Sequence, residues 1–216
     1  MKHKVVAFMP IRLNSQRIKN KSIQLIAGRP MFCWSLETLD NLDIPVYVFT
    51  NEIDKLKSLL DFKPSNVIWL ERPSYLDSSD TKGLDIYKEF SKKINSEIYL
   101  LVHCTSPFTT IATYKKCISA VFSGTHLSSL TVKKQQTFIW YNEKPLNFSF
   151  PRQKTQDLTP IFVETSAAYC FKKEILSTDS RTCKNPKLVL TEGIETIDID
   201  EQSELKMINA IFKRKL

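Results

Sequence analysis

Glycine is scarce in this chain. Its 216 residues hold four, at positions 28, 83, 124 and 193. Neither GxGxxG nor GxxxxGK[ST] is present, so a dinucleotide fold of the usual type or a P-loop ATPase is not expected. Cysteines are few, odd in number and scattered: Cys33, Cys104, Cys117, Cys170 and Cys183 form no CxxC pair. That spacing argues against a disulfide framework and against a zinc site, and suits small buried hydrophobes. Long apolar runs are missing too; residues 98–102 are strand-sized, far below the roughly 18 to 20 residues of a membrane span. The opening MKHKVVAFMPIRLNS has a short apolar part that contains Pro10 and runs into a charged loop without a small-residue cleavage site. The expectation is a cytoplasmic protein. No internal repeat or low-complexity tract occurs.

What is present is ordinary globular material, with hydrophobic residues at 42% and charged residues at 25%. The length allows one ample core with a small appendage. Thirty-one Lys and Arg against 23 Asp and Glu leave a net charge of +8, which favours an anionic partner: nucleotide, nucleic acid, acidic sugar or membrane surface. Charge alone does not choose among them.

Apolar periodicity predicts alternating strands and helices. Strands are expected at residues 5–8, 46–49, 67–70 and 98–102. The first helix follows the Gly28-Arg29-Pro30 turn, with Phe32, Leu36 and Leu39 inward. Further helices are expected over 52–61 and 81–94, and around Tyr114, Ile118, Val121 and Phe122. Such alternation predicts an α/β fold, a mostly parallel sheet with helices on both faces. The pattern breaks after 127–132. Residues 133–165 read as an excursion of short strands and loop within a single domain spanning 1–216. Core sequence returns at 167–171, and a last helix from about residue 201 turns Leu205, Ile208 and Ile211 or Phe212 inward. Lys213, Arg214 and Lys215 fall at its C-terminal end, where the helix dipole favours cations.

Residues 9–21, MPIRLNSQRIKNK, follow the first strand and carry Arg12, Arg17, Lys19 and Lys21. Open α/β sheets bind ligands beyond the carboxyl ends of their strands, so this loop reads as a polyphosphate clamp or as a solvated basic loop. Asn14, Ser15 and Gln16 add neutral donors, and each charge-assisted contact to phosphate contributes roughly 1.5 to 3 kcal/mol when water is excluded. Near the other end, TIDID places Asp198 and Asp200 two residues apart. In an extended strand both carboxylates would face one hard cation such as Mg²⁺; the alternative is that Asp200 caps the last helix.

Three further stretches bear polar groups in suggestive places. Arg72, with Asp80 and Thr81 downstream, reads as a base-edge reader or a surface turn. His103, Thr105 and Ser106 lie past the fourth strand. Arg152 and Gln153 lie in the excursion, where they either recognise an anionic acceptor or are solvated. No Ser/His/Asp or Cys/His order stands out for a covalent mechanism, and no side chain identifies itself as the general base.

PIRLNSQRIKNKSIQLIAGRPM, ERPSYLDSSDT, HCTSPFTT, the segment from PRQ to VETSAAYCF, and TIDID occur in that order. Together they resemble the acylneuraminate cytidylyltransferase family, the CMP-sialic acid and CMP-nonulosonate synthetases with their CMP-Kdo relatives. The resemblance implies a Rossmann-like nucleotidyltransferase fold with a dimerisation excursion, and a homodimer. It implies an enzyme that takes CTP and an acidic sugar acceptor, with Mg²⁺ on Asp198 and Asp200 and no nucleic-acid or membrane partner. Arg12, Ser15 and Lys21 match the triphosphate loop, and Asn14, Gln16 and Arg17 belong to it. Arg72, Asp80 and Thr81 match the cytidine region, and His103, Thr105 and Ser106 the loop beneath the sugar and phosphates. Arg152 and Gln153 match an acceptor segment given in some members by the partner subunit. Several positions depart from the sialic-acid pattern. Leu13, Asn14, Ser15 and Gln16 stand where two glycines and Ser-Lys are usual, closer to the Kdo-type loop, and Arg17 supplies the charge that Gln16 lacks. His103 replaces a glutamine, Thr109 an arginine, and Thr165-Ser166 an Asn-Gly pair at the sugar site. Kdo, an alditol phosphate or a phosphonate are the alternative acceptors; a basic nucleic-acid-binding protein is the alternative of another class.

Overall fold

The first apolar run becomes the middle of a sheet because it is covered on both sides. The structure, a computed structural model, describes residues 3–213; Arg214 and Lys215 lie outside them. In β1 (His3–Pro10), Val6, Ala7, Phe8 and Met9 are wholly buried, as expected of a strand with helices on both faces. A small ribbon, β2 (Leu25–Ile26) and β3 (Arg29–Pro30), turns through Ala27 and Gly28, both at positive φ, and delivers the chain into α1 (Met31–Asp40). There follow β4 (Val46–Thr50), α2 (Ile53–Ser58), β5 (Val67–Glu71), α3 (Gly83–Lys93), β6 (Ser96–Val102), α4 (Ile111–Phe122) and β7 (Ser128–Gln135). A hairpin of β8 (Trp140–Tyr141) and β9 (Lys144–Pro145) precedes β10 (Ile161–Lys172), β11 (Lys187–Leu190) and α5 (Gln202–Lys213).

Seven strands form one sheet in the order β11-β7-β10-β6-β1-β4-β5. All neighbours are parallel except β10, which runs antiparallel to β6 and β7. The strand period of two sorts the core into two layers. Ala7, Met9, Val48, Leu100 and Val102 face α1 and α4 through Leu36, Leu39, Tyr114 and Cys117. Val6, Phe8, Phe49, Tyr99 and Leu101 face α3 through Ile86, Tyr87 and Phe90. Phe8 stacks on Phe90 with ring centroids 4.2 Å apart, so truncating either ring would cost about 3 to 5 kcal/mol.

The α/β architecture and mostly parallel sheet agree with expectation, while several boundaries move. α2 ends at Ser58 rather than residue 61, and α3 starts at Gly83 rather than residue 81. Phe212 rather than Ile211 turns inward from α5. The expected excursion is narrower, because β7 runs on to Gln135 and pairs with the first residues of β10. Four of the cysteines are buried, Cys183 is partly so, and all are free thiols. No described helix is long and apolar enough to cross a membrane.

Candidate active site

From β1 the chain builds outward through β4 to β5, then crosses back to place β6 on the other flank of β1. The strand order thus reverses between β1 and β6, and the crevice beyond their carboxyl ends is where such sheets take ligands. Two loops meet there, residues 11–24 after β1 and 103–110 after β6. A third segment is tied in by the Ile199 N–H, which donates to the Thr105 carbonyl at 2.8 Å. Beneath them Ile18, Ile26 and Met31 pack with Ile199, Leu205 and Ile208. This apolar seam is why the basic loop near the chain's start meets the acids near its end.

The resulting contacts are close. Lys21 Nζ lies 2.5 Å from Asp200 Oδ1, and Arg17 Nη1 lies 2.9 Å from Asp200 Oδ2 and 3.6 Å from Glu201 Oε1. Burial pulls the Asp200 carboxyl upward, but its bond to Lys21 and the charges of Lys21 and Arg17 outweigh that and leave it below the usual range. Asp198 goes the other way. Burial raises it, the Thr105 hydroxyl and Lys21 oppose, and the neighbouring Asp200 charge adds to the rise. Its Oδ1 is buried without a hydrogen-bond partner.

A cleft of about 310 Å³ is lined by Arg12, Ser15, Gln16, Arg17, Lys21 and Ser22 from the first loop and by His103, Cys104 and Thr105 from the second. Lys19, the fourth cation of the loop, is exposed outside this lining because Ile18 beside it enters the core. A larger concavity of about 680 Å³ lies at the other end of the sheet, among Lys4, Glu97, Phe122, Lys172 and Glu174. Its mixed charges and its place at the amino end of β6 set it apart from the switch point.

Neither expectation for TIDID holds in its simple form. Residues 197–200 belong to no strand, and Asp200 does not cap α5. Glu204 does so, accepting from the N–H groups of Asp200 and Glu201 at 2.7 and 2.8 Å. Asp200 is thereby free to face the cations. Among the described residues no three His, Cys, Asp or Glu side chains gather as a metal cage. Mg²⁺ keeps several waters and is often held by one or two carboxylates plus phosphate oxygens. The unpartnered Oδ1 of Asp198 beside Asp200 fits that need.

His103 forms one wall of the cleft and is held at both nitrogens. A carbonyl only accepts, so Nδ1 carries the proton and donates to Ser166 O at 2.8 Å; Nε2, 3.2 Å from Tyr87 Oη, accepts from the phenol. Burial, with Arg181 and Lys21 nearby, pushes its pKa down to about 4, against the pull of Ser166 and Asp200. The ring is neutral at pH 7. Ser166, whose carbonyl fixes this tautomer, has φ 56 in the left-handed region, and Ser106 Oγ donates to Thr165 O at 3.2 Å.

The remaining expected residues divide. Arg72 is 1% exposed and ion-paired to Asp77, whose carbonyl accepts from Asn14 Nδ2. Burial lowers the Arg72 pKa, Asp77 opposes, and the like charge of Arg12 adds to the lowering, so the two arginines are neighbours. Asp80 and Thr81 lie in the turn before α3, outside the cleft lining. Arg152 is remote in its contacts: its guanidinium lies 5.2 to 5.9 Å from the ring centres of Phe138, Phe148, Phe150 and Trp140, and Gln153 follows it. Tyr87, Tyr169, Glu164 and Arg181 escaped the sequence reading, since none belongs to a local pattern.

A family model described as cytidylyltransferase matches residues 6–159. No curated protein matches the chain. Among solved structures, CMP:2-keto-3-deoxy-manno-octonic acid synthetase complexed with CTP is similar over 99% of this chain and 100% of its own, with TM-score 0.69 and 15% identity. The 4-diphosphocytidyl-2C-methyl-D-erythritol synthase from Anaerococcus prevotii DSM 20548 also gives TM-score 0.69, at 14% identity, over 98% of this chain and 97% of that one. The bifunctional IspDF from Campylobacter jejuni gives 0.64 at 14% identity over 94% of this chain and 53% of that one. At these identities the structural likeness concerns the fold.

Proposed function

The chain belongs to the cytidylyltransferase family, and on that premise we propose that it transfers CMP from CTP to the anomeric hydroxyl of an acidic, sialic-acid-like sugar, releasing pyrophosphate. The observation that carries this reading is the meeting of Arg17 and Lys21 with Asp200 at the switch point of the sheet. Without nucleotide, Asp200 neutralises both cations. A triphosphate with its cation brings the opposite charges and exchanges the partners: Arg12, Arg17 and Lys21 turn to the phosphates, and Asp200 is released.

In the reaction the sugar hydroxyl attacks the α-phosphorus in line and gives up its proton to water, the bond from the α-phosphorus to the bridging oxygen breaks, and pyrophosphate leaves with that oxygen. Arg12, Arg17 and Lys21 stabilise the charge that grows on the leaving group. Asp198 and Asp200 would hold Mg²⁺, which supplies charge neutralisation at the phosphate when bound. His103 shapes the sugar side of the cleft; with a pKa near 4 and both nitrogens engaged, it does not take the hydroxyl proton.

The acceptor side extends to a second copy of the chain. Trp140, Tyr141, Leu146 and Phe150 around the β8–β9 hairpin are exposed, and their apolar surface suits the seam of a homodimer. Arg152 and Gln153, carried on that hairpin's flank, would then reach the partner's acceptor.

A thermal-shift panel of CTP, ATP, GTP and UTP with Mg²⁺ tests the donor. A ligand at 100 times its Kd stabilises by about 2.7 kcal/mol, about 5 to 11 °C in Tm for a chain of this size. CTP alone should give that shift. Pyrophosphate release with N-acetylneuraminic acid, Kdo, an alditol phosphate and a phosphonate then tests the acceptor, the first being expected to lead. Equal shifts for all four nucleotides, or duplex DNA binding that falls steeply with salt, would overturn the reading.

A further inference from the structure

We infer that Arg181 receives the carboxylate of the acceptor within the same subunit, an assignment that rests on the acidic-sugar reading above. Arg181 follows the short helix Lys173–Thr178 and lies over Tyr169 of β10, which pairs with Leu101 near the carboxyl end of β6. Its Nη2 donates to Tyr169 Oη at 2.8 Å, its Nη1 lies 3.4 Å from Tyr87 Oη, and its guanidinium carbon stands 3.8 Å from the Tyr169 ring centre. Two of its five N–H groups are thus spent, and both go to neutral phenols. Among the described residues it has no ion pair.

The direction of each bond follows from what the ends can do. Arginine only donates, so each phenol oxygen accepts from it and sends its own proton onward. Tyr169 donates to Glu164 Oε2 at 2.7 Å and Tyr87 donates to His103 Nε2. Burial and the Glu164 bond push Tyr169 up to about 12, and burial raises Tyr87 as well, so both remain proton donors. The guanidinium is fixed face-on by a ring and two hydroxyls while its charge is left unmet. It stands one phenol away from His103, which lines the cleft. A half-buried cation held this rigidly fits a planar anion, and a carboxylate matches its fork better than a neutral hydroxyl does. A sugar whose hydroxyl meets the α-phosphate over Asp198 and Asp200 would then extend along His103 and place its acid on Arg181.

The test compares Arg181→Gln with the wild-type chain on N-acetylneuraminic acid, on Kdo and on the methyl ester of each, with CTP and Mg²⁺ held saturating. For the free acids KM should rise at least about 30-fold with kcat changed less than about threefold. For the esters wild type and variant should agree within about threefold. Arg181→Lys, which keeps the charge but loses the fork, should fall between. The CTP-induced thermal shift, expected unchanged, shows that the variants are folded. Acids and esters losing equally, or no change with the acids, would overturn the role of Arg181 and leave the transferase reading intact. Wild-type protein that binds CTP yet turns over no acid would overturn both.

Discussion

Lowering the pH from 7 to 5 should destabilise the unliganded protein through His103, and replacing that residue with glutamine should remove this part of the loss. The folded-state pKa is about 4 against an ordinary value of 6.5. Between these values the unfolded chain binds the proton that the folded chain refuses, so stability rises with pH across that window and is lost as pH falls through it. The linkage relation gives about 2 kcal/mol lost between pH 7 and 5 and about 3 kcal/mol by pH 4. The ring edge facing the cleft meets water, which makes these figures a ceiling. For a chain of this length 2 kcal/mol is about 4 to 8 °C in Tm. Glutamine keeps the wiring, since its amide donates to Ser166 O and its carbonyl accepts from Tyr87, but it does not titrate. Thermal unfolding of both proteins over pH 4.5 to 7.5 supplies the comparison. The difference between the two Tm curves should open by several degrees as pH falls, whereas parallel curves would refute the neutral, doubly held histidine.

Asp198→Asn and Asp200→Asn should each lower CTP-dependent pyrophosphate release by at least about 100-fold, yet separate in unliganded Tm. Asn at 198 removes a carboxylate that burial penalises and leaves stability equal or higher, while Asn at 200 strips Lys21 of its counter-charge and costs about 1 kcal/mol; equal Tm changes would contradict the two opposite pKa shifts. Ser166→Gly should raise stability by about 0.5 to 1 kcal/mol, because glycine adopts the left-handed φ of 56 without the penalty of a Cβ; a lower midpoint in urea would count against it.

Much of the fold is visible in the chain because each strand and helix declares itself over a few residues. Val5 to Phe8 and Ile98 to Val102 are apolar runs of strand length set between helical patterns. The last helix shows the limit of that reading: Ile211 and Phe212 are 100° apart on its wheel, and only the aromatic contacts with Trp34 and Phe108 decide for Phe212. At the site, the order of motifs brought Arg17, Lys21, Asp198 and Asp200 into one hypothesis. The work of Asp200 and Glu204 was not readable, since either acid could have capped α5, and only the approach of Lys21 selects between them. Arg181 was hidden for another reason. Its partners Tyr87 and Tyr169 lie 94 and 12 residues away, separations with no periodic trace. Arg72 reads as a base-edge reader or a surface turn, because no local pattern reveals that Asp77 folds back to pair with it.

The bond between Lys21 and Asp200 spans 179 positions of the chain, and the apolar seam under it needs residues from α5. A nascent polypeptide halted on the ribosome after β10 would already possess the basic loop and six of the seven strands of the sheet, but not its opposing acids. Such a fragment would expose Ile18, Ile26 and Met31, the apolar residues that Ile199, Leu205 and Ile208 cover.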